Sequence, residues 1–272
     1  MSLAETPTPK PEETTKPKRI YALDMLRGFC VVLMVAFHAF FMIGYVFAIE
    51  WGQTLFVFFQ PVEPFFAGLF ILIAGISSRL SHSNWKRGLR LVGLAAVITL
   101  GTFLAEYLLG NNFDLAGITI WFGILHFLAV AILFFALTRR LLDYVHPVVG
   151  IVLCVLLLCV FLRVGNGLIG IGPLSFKLPP VITDSLILYP MGMHKDLIAG
   201  DYFPVFPWIF IFLVGTFIGV YFKKGRLPAG FYRNYVPALT VIGRSALIIY
   251  VAHQPAIGVV VWLIQMLRGM FV

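Results

Sequence analysis

The segment that decides the fold is G-F-C-V-V-L-M-V-A-F-H-A-F-F-M-I-G-Y-V-F-A-I, Gly28–Ile49, in which His38 is the only ionisable side chain apart from Cys30 and Tyr45. A membrane-spanning helix needs about 20 consecutive apolar residues, so this segment predicts a transmembrane helix. The whole chain has the same character, because 60% of its 272 residues are hydrophobic and only 12% are charged. Soluble domains carry about twice that share of charge. The composition therefore excludes a soluble enzyme, a disordered chain, a coiled coil and a secreted disulfide scaffold.

Six further apolar segments raise the expected number of spans to about seven, which predicts an all-α, polytopic transmembrane bundle. They are Trp51–Ser78, Leu91–Ala105, Leu115–Thr138, Tyr144–Leu162, Tyr202–Phe222 and Ser245–Leu267. Residues 164–201 are interrupted by Gly, Pro and charge, and predict an outer loop with a short interfacial or re-entrant piece around Val181–Met191. Residues 1–19 are rich in Pro, Thr, Glu and Lys, and predict a disordered cytoplasmic tail before a membrane domain of residues 20–272.

The positive charge is distributed as topology requires. With seven spans and a cytoplasmic N-terminus, sixteen of the twenty Lys and Arg residues fall on the cytoplasmic side, as the positive-inside rule expects. The net charge of +8 is divided among loops beside membrane ends, so we expect a lipid bilayer and no nucleic acid as the partner. The expected location is the cell membrane. The three cysteines have no metal-ligand spacing, and no metal is expected.

Four histidine and glutamate residues fall deep inside the predicted spans: His38, Glu63, His126 and His253. At a rise of about 1.5 Å per residue, each lies near the middle of its predicted span, and Pro61 and Pro64 flank the glutamate. A single intramembrane histidine often makes only an interhelical hydrogen bond. Four such residues at similar depth favour a functional cavity, because ionisable groups are costly to insert into a bilayer.

The first span adds a constraint on spacing. Arg27 and His38 are eleven residues apart, which places both side chains on one helix face about 16 Å apart. Asp24 joins the same face within pairing distance of Arg27. One face then carries a cation at the cytoplasmic mouth and a titratable base in mid-membrane, so a phosphate-bearing donor held at Arg27 reaches towards His38. The alternative is that Arg27 is only a topological anchor paired with Asp24.

Five stretches of sequence carry a resemblance to a known family. They are the Asp-x-x-Arg-Gly start of the first span followed by His38, L-F-I-L-I-A-G-I-S at 69–77, W-F-G-I-L-H-F at 121–127, D-Y-F-P-V-F-P-W at 201–208, and G-R-S-A-L-I-I-Y-V-A-H-Q-P at 243–255. From about Arg19 to the C-terminus the chain resembles the bacterial membrane acyltransferases named after the catalytic domain of heparan-α-glucosaminide N-acetyltransferase. The resemblance implies transfer of an acyl group, usually acetyl, from cytoplasmic acyl-CoA to a sugar or glycan acceptor on the far side.

The resemblance also suggests catalytic roles. Acyl transfer needs a base near neutral pH, and histidine titrates there. We expect His38 to be the general base, with His253 or His126 orienting it or polarising the thioester carbonyl. Glu63 is expected to fix a histidine tautomer.

Binding roles follow in the same way. Arg27, with its partner Asp24, and Arg244 lie near the cytoplasmic face, and are expected to bind the anionic parts of acetyl-CoA. On the outer side, Asp201, Tyr202 and Trp208 are expected to contact the sugar. Their alternative role is an interfacial aromatic belt, since Trp and Tyr favour membrane interfaces.

Two other functions stay open at this point. A proton-coupled transporter or exporter also uses mid-membrane His and Glu, although the seven spans show no obvious inverted repeat. A non-catalytic scaffold has no use for buried ionisable groups. The acceptor, the acyl chain, N- or O-acylation, an acyl-histidine intermediate and a homodimer are not determined by the sequence.

Overall fold

The computed structural model describes residues 19–109, 119–194, 201–225 and 227–270, and these ranges are almost entirely helical. The helices are α1 Tyr21–Phe41, α2 Glu50–Phe59, α3 Glu63–Leu80, α4 Asn84–Leu109, α5 Ile124–Leu142, α6 Pro147–Phe161, α7 Pro180–Thr183, α8 Trp208–Lys223, α9 Pro237–Arg244 and α10 Ala246–Met270. The expected all-α, polytopic bundle is confirmed. The expected cytoplasmic tail lies almost wholly outside the described residues.

Six helical segments of the described chain are long and apolar enough to cross a membrane, and α8 is a shorter apolar helix. The seven predicted spans correspond to these seven segments in order, but several ends differ. The span predicted from Tyr202 begins at Trp208, because Pro204 and Pro207 precede it and proline disfavours helical backbone at the residue before it. The span predicted from Leu115 begins at Ile124, and residues 115–118 lie outside the described ranges.

The second span is helical throughout, but its α-helical hydrogen bonding is interrupted once. A 3-10 turn, Gln60–Val62, separates α2 from α3, at the position of Pro61 and just before Pro64, because proline interrupts the hydrogen bonds of an α-helix. In the first span a π-helical turn, Met42–Val46, continues α1. The outer loop has an antiparallel pair of two-residue strands, β1 Leu168–Ile169 and β2 Phe176–Lys177. The short piece expected around Val181–Met191 is α7 followed by a 3-10 helix, Leu186–Met191.

The glycine of the Asp-x-x-Arg-Gly motif has a packing role. A methyl group on Gly28 would overlap the carbonyl oxygen of Leu239 in α9, and one on Gly243 would overlap the carbonyl oxygen of Asp24 in α1. The backbones of α1 and α9 therefore touch where these two glycines face each other. This contact brings Arg244, the last residue of α9, to the same end of the bundle as Arg27.

The hydrophobic core lies where α3, α5 and α8 meet. Ile71, Phe127, Phe135 and Phe212 are fully buried there. At one end of this core, buried Arg79 donates to the carbonyl oxygen of Thr216 at 3.1 Å, pairs with Asp143 and lies over the Phe135 ring. A buried guanidinium is tolerated because its hydrogen bonds and its charge are satisfied. This packing fixes the relative positions of helices that surround a cavity beside α1.

Candidate functional site

A cavity of about 730 Å³ lies between α1, the α2–α3 span, the segment before α8, and α10. Along α1 its lining extends from Cys30 to Val46, which is about 24 Å of helix. Its walls are mostly apolar and aromatic, and its polar lining is concentrated in a few side chains. These are His38, Gln60, Glu63, Thr102, Asp201, Tyr202, Tyr250 and Gln254. An apolar pocket with a few convergent polar groups is the usual form of a small-molecule site.

His38 presents one ring nitrogen to this cavity. Its Nδ1 lies 2.9 Å from the carbonyl oxygen of Met34, one turn earlier in α1. Because a carbonyl oxygen only accepts, Nδ1 carries the hydrogen and the neutral ring has its lone pair on Nε2. That Nε2 lies 4.0 Å from Oδ1 of Asp201. The His38 side chain is 14% exposed, so it is largely shielded from bulk solvent but still reaches the cavity.

His253, on α10, has the same arrangement, but it is buried and is not among the residues that line the cavity. Its Nδ1 donates to the carbonyl oxygen of Tyr250 at 2.5 Å, and its Nε2 is buried without a hydrogen-bond partner in the described part of the chain. The rings of His38 and His253 meet edge to face with centroids 5.0 Å apart. Two imidazoles therefore lie side by side, each with Nδ1 occupied by its own helix and Nε2 left without a donor.

Asp201 is the point at which the sequence motifs meet. Its Oδ2 accepts a hydrogen bond of 2.7 Å from the hydroxyl of Tyr250, while its Oδ1 faces His38. Burial raises the pKa of the Asp201 carboxyl, and the nearby His38 and the Tyr250 hydrogen bond act in the opposite direction. The expected sugar contact Asp201 thus lies beside the expected base.

The glycine of W-F-G-I-L-H-F makes room for this carboxylate. A Cβ on Gly123 would stand 2.9 Å from Oδ2 of Asp201, closer than carbon and oxygen normally approach. The backbone amide of Phe203 donates to the carbonyl oxygen of Phe122 at 3.1 Å, which ties the D-Y-F-P stretch to the same turn. The motifs on α1, α5, α8 and α10 therefore converge although they are far apart in sequence.

The two other expected sugar contacts have different surroundings. Tyr202 lines the cavity, stacks on Tyr189 with centroids 4.4 Å apart, and donates its hydroxyl to the Tyr189 carbonyl oxygen. Trp208, at the start of α8, packs against Phe203 in the hydrophobic core and is not among the residues that line the cavity. Glu63 does line it, from the first turn of α3.

His126 lies apart from this group, in the first turn of α5 rather than eleven residues inside a helix. The amide of Gly123 donates to its Nδ1 at 3.2 Å, so in the neutral ring the hydrogen is on Nε2. Nε2 then donates to Oγ1 of Thr99 at 3.0 Å, and that hydroxyl donates to the carbonyl oxygen of Ile120. Both nitrogens of His126 are therefore occupied, and the structure does not bring this ring to His38.

At the other end of the cavity lining, two arginines meet at one serine. Arg27 donates to Oγ of Ser77 at 2.7 Å and pairs with Asp24 at 3.4 Å, while Arg87 donates to the carbonyl oxygen of Ser77 at 3.4 Å. The nearest cavity-lining residue on α1, Cys30, is one turn further along the helix. Arg244 is exposed and lies on neighbouring α9.

Tyr250, Ser77, Gln60 and Gln254 were not expected from the sequence. Tyr250 stands three residues before His253, on the same face of a helix, and the Y-V-A-H stretch contained that signal. Ser77 closes the L-F-I-L-I-A-G-I-S stretch. The two glutamines had no signal beyond being amides within apolar segments.

Long apolar helices around a cavity, with a histidine pair and a buried carboxylate at its side, are features of a multi-pass membrane protein. Residues 19–255 match the family described as heparan-alpha-glucosaminide N-acetyltransferase, catalytic. The match covers most of the chain, which therefore belongs to this family of membrane acetyltransferase-like proteins. No curated protein and no solved structure matches the chain significantly.

Proposed function

We propose that the protein transfers an acetyl group from acetyl-CoA on the cytoplasmic side to a sugar or glycan acceptor on the opposite side, with His38 as the general base. Family membership supports acetyl transfer as the reaction class. The observation that carries the proposal is the cavity itself: its lining begins one turn from Arg27, passes His38, and reaches Val46 at the opposite end of the first span.

The position proposed for acetyl-CoA follows from the positive charge of two arginines. Phosphates pair most strongly with guanidinium groups, and Arg27 and Arg87 converge on Ser77 where the cavity lining begins. Arg27 and His38 are separated by about 16 Å along α1. A phosphate group held by the two arginines thus directs the pantetheine arm along the apolar lining, with the thioester beside His38. Asp24 holds Arg27 in position by pairing with it, and Arg244 adds charge nearby.

The transfer step uses the free Nε2 of His38. The acceptor hydroxyl or amine gives its proton to Nε2 as its oxygen or nitrogen attacks the thioester carbonyl carbon. The C–S bond then breaks, and the departing CoA sulfur takes the proton back from the imidazolium, so free CoA and the acylated acceptor leave. Asp201 stabilises the imidazolium through its charge, and Tyr250 holds Asp201 by the hydrogen bond. His253 packs its ring edge to face against His38 and orients the base.

The acceptor is placed in the far part of the cavity. Phe37, Phe41, Tyr45 and Phe56 form a contiguous aromatic wall there, with ring centroids 4.7 to 5.5 Å apart. Aromatic faces suit the C–H faces of sugars, and Tyr202 and Glu63 supply polar contacts in the same cavity. Trp208 does not contribute directly.

The test uses purified protein in nanodiscs with radiolabelled acetyl-CoA. We expect saturable binding of acetyl-CoA and slow release of CoA. A glycan acceptor should accelerate the release of CoA. Absence of binding at about millimolar donor would favour a transporter. The direction of transfer is measured in sealed vesicles of both orientations, with donor inside or outside. Acetylation that requires donor and acceptor on the same side would contradict transfer across the membrane.

A further inference from the structure

A second cavity, of about 430 Å³, lies at the end of the bundle that the cation distribution assigns to the cytoplasm. It is bounded by the C-terminal ends of α5 and α8 and by the turn that joins α5 to α6. Arg139, His146, Lys223 and Lys224 are among its lining residues, together with the Arg79–Asp143 pair. Nothing in the acyl-transfer mechanism uses this cavity.

The charge around this cavity is unbalanced. Its one carboxylate, Asp143, is taken up by Arg79. Arg139, Lys223 and Lys224 make no ion pair with any residue that the structure describes. Three cations therefore surround one recess, and the described part of the chain holds no further carboxylate there to neutralise them. Cations at one recess attract a phosphate group, whereas topological anchors alone need only lie somewhere on the cytoplasmic side.

The surface beside the cavity is apolar. Val148, Val149 and Val152 on α6 are each more than half exposed, and the Tyr221 ring on α8 is 40% exposed. Tyrosine at such a position favours a membrane interface. A molecule that places a phosphate among the cations would therefore lay any attached hydrocarbon chain along α6. A free phosphate would use the cations but gain nothing from this surface.

The cavity is also distinct from the arginines assigned to the donor. Arg79 follows Ser77 by two residues, so their side chains point about 200° apart around α3. Ser77 faces α1 and α4, whereas Arg79 faces α5 and α8.

We propose that this second cavity binds the phosphate headgroup of an anionic membrane lipid, with its acyl chains along α6. Bound there, the lipid bridges α5, α6 and α8 at the cytoplasmic end. Basic recesses between membrane helices on that side suit such headgroups.

The experiment titrates delipidated protein in detergent with phosphatidylglycerol and counts bound lipid by native mass spectrometry. We expect one tightly held lipid in the wild-type chain, and affinity reduced about tenfold or more in Arg139→Gln/Lys224→Gln, which removes two of the three cations. The matched control is Arg140→Gln/Lys86→Gln, which removes the same charges from exposed cytoplasmic positions outside the cavity. Lys223→Gln/Lys224→Gln replaces the first variant if losing the contact of Arg139 with Phe135 prevents folding.

Three parallel titrations separate the alternatives. Phosphatidylcholine that binds as tightly, and with the same loss in the variant, would overturn the requirement for an anionic headgroup. Inorganic phosphate that binds alone with the same dependence on the cations would assign the cavity to free phosphate instead. CoA that displaces the lipid would assign the cavity to the donor. Equal loss in the variant and in the control would show that only net charge matters, and would also overturn the proposal.

Discussion

The cavity around His38 and the first turn of α5 around His126 both hold a histidine against the main chain, but the two rings differ in which nitrogens are hydrogen-bonded. His38, which lines the cavity, and His253, which packs against it, each use Nδ1 to donate to a carbonyl oxygen, and each has Nε2 without a donor. At α5, His126 accepts at Nδ1 and donates at Nε2, so neither nitrogen is free.

In the proposed mechanism, this difference separates the base from a structural histidine more sharply than depth in the membrane does. A histidine with both nitrogens bonded can abstract a proton only after a hydrogen bond breaks, whereas one with a free Nε2 is ready to accept. The composition of the surroundings supports the same division, because a carboxylate faces His38 and a neutral hydroxyl faces His126.

The largest expected effect is at the proposed base. His38→Ala removes the free Nε2 and lowers the rate of acetyl transfer by about 10²- to 10⁴-fold. Folding should change little, because among the described residues the side chain hydrogen-bonds to its own helix, at Met34. Radiolabelled transfer measures the rate, and size-exclusion chromatography and thermal melting check the fold. Full activity in a folded variant would remove His38 from the mechanism.

The second-largest effect on the rate of acetyl transfer is expected at the Asp201 carboxylate. Asp201→Asn removes the charge 4.0 Å from Nε2 and should lower kcat by about 10- to 100-fold. The loss is smaller than for His38→Ala because Met34, not Asp201, fixes the tautomer. Tyr250→Phe is the matched variant: it deletes one hydrogen bond and keeps the charge, with an expected loss of about fivefold. An equal loss in both variants would mean that the hydrogen bond, and not the charge, is what assists the base.

A third effect concerns the donor end of the same cavity. Arg27→Gln should raise KM for acetyl-CoA about tenfold with kcat nearly unchanged, because the lost interaction is made equally in ground and transition states. Arg244→Gln, which removes an exposed charge, should have a smaller effect because solvent screens it. Initial rates against donor concentration separate the two constants. A change confined to kcat in Arg27→Gln would place this residue at the reaction centre instead.

The spans were predictable because hydropathy is a local property, and each predicted span has an apolar helix in the structure. Their ends were less predictable. Proline shifted the start of α8 from Tyr202 to Trp208, and a turn held by side-chain contacts, including those of Thr99 and Thr102 with Ile120, preceded the start of α5. The second shift matters for function, since His126 was expected deep in a span and lies at a helix end.

The site was predictable only where one helix carries it. The spacing of Arg27 and His38 placed both on one face of α1, and helical geometry alone was enough for that. Which side chains meet across helices depends on tertiary packing, so the sequence did not indicate that Asp201 faces His38 or that Tyr250 holds it. Nor did it indicate that Trp208 would be taken into the core.

The smallest expected effect on activity is at His126, whose two ring nitrogens are both hydrogen-bonded. His126→Ala should change the transfer rate per folded molecule by less than about fivefold, equivalent to under about 1 kcal/mol in the barrier, because no nitrogen of this ring faces the cavity. Stability should fall instead. The amide of Gly123 loses its acceptor and the Thr99 hydroxyl loses its donor. Because both hydrogen bonds are only part-buried, we expect a loss at or below the lower end of the range of about 1–3 kcal/mol for an unsatisfied buried group.

His126→Gln separates these contributions, because a glutamine amide can both accept and donate and so restores part of the lost stability. Thermal melting in detergent and activity normalised to folded protein measure the two properties independently. A folded His126→Ala protein with activity as low as His38→Ala would show that an occupied imidazole takes part in the chemistry. The distinction between histidines with a free Nε2 and histidines with both nitrogens hydrogen-bonded would then have to be abandoned.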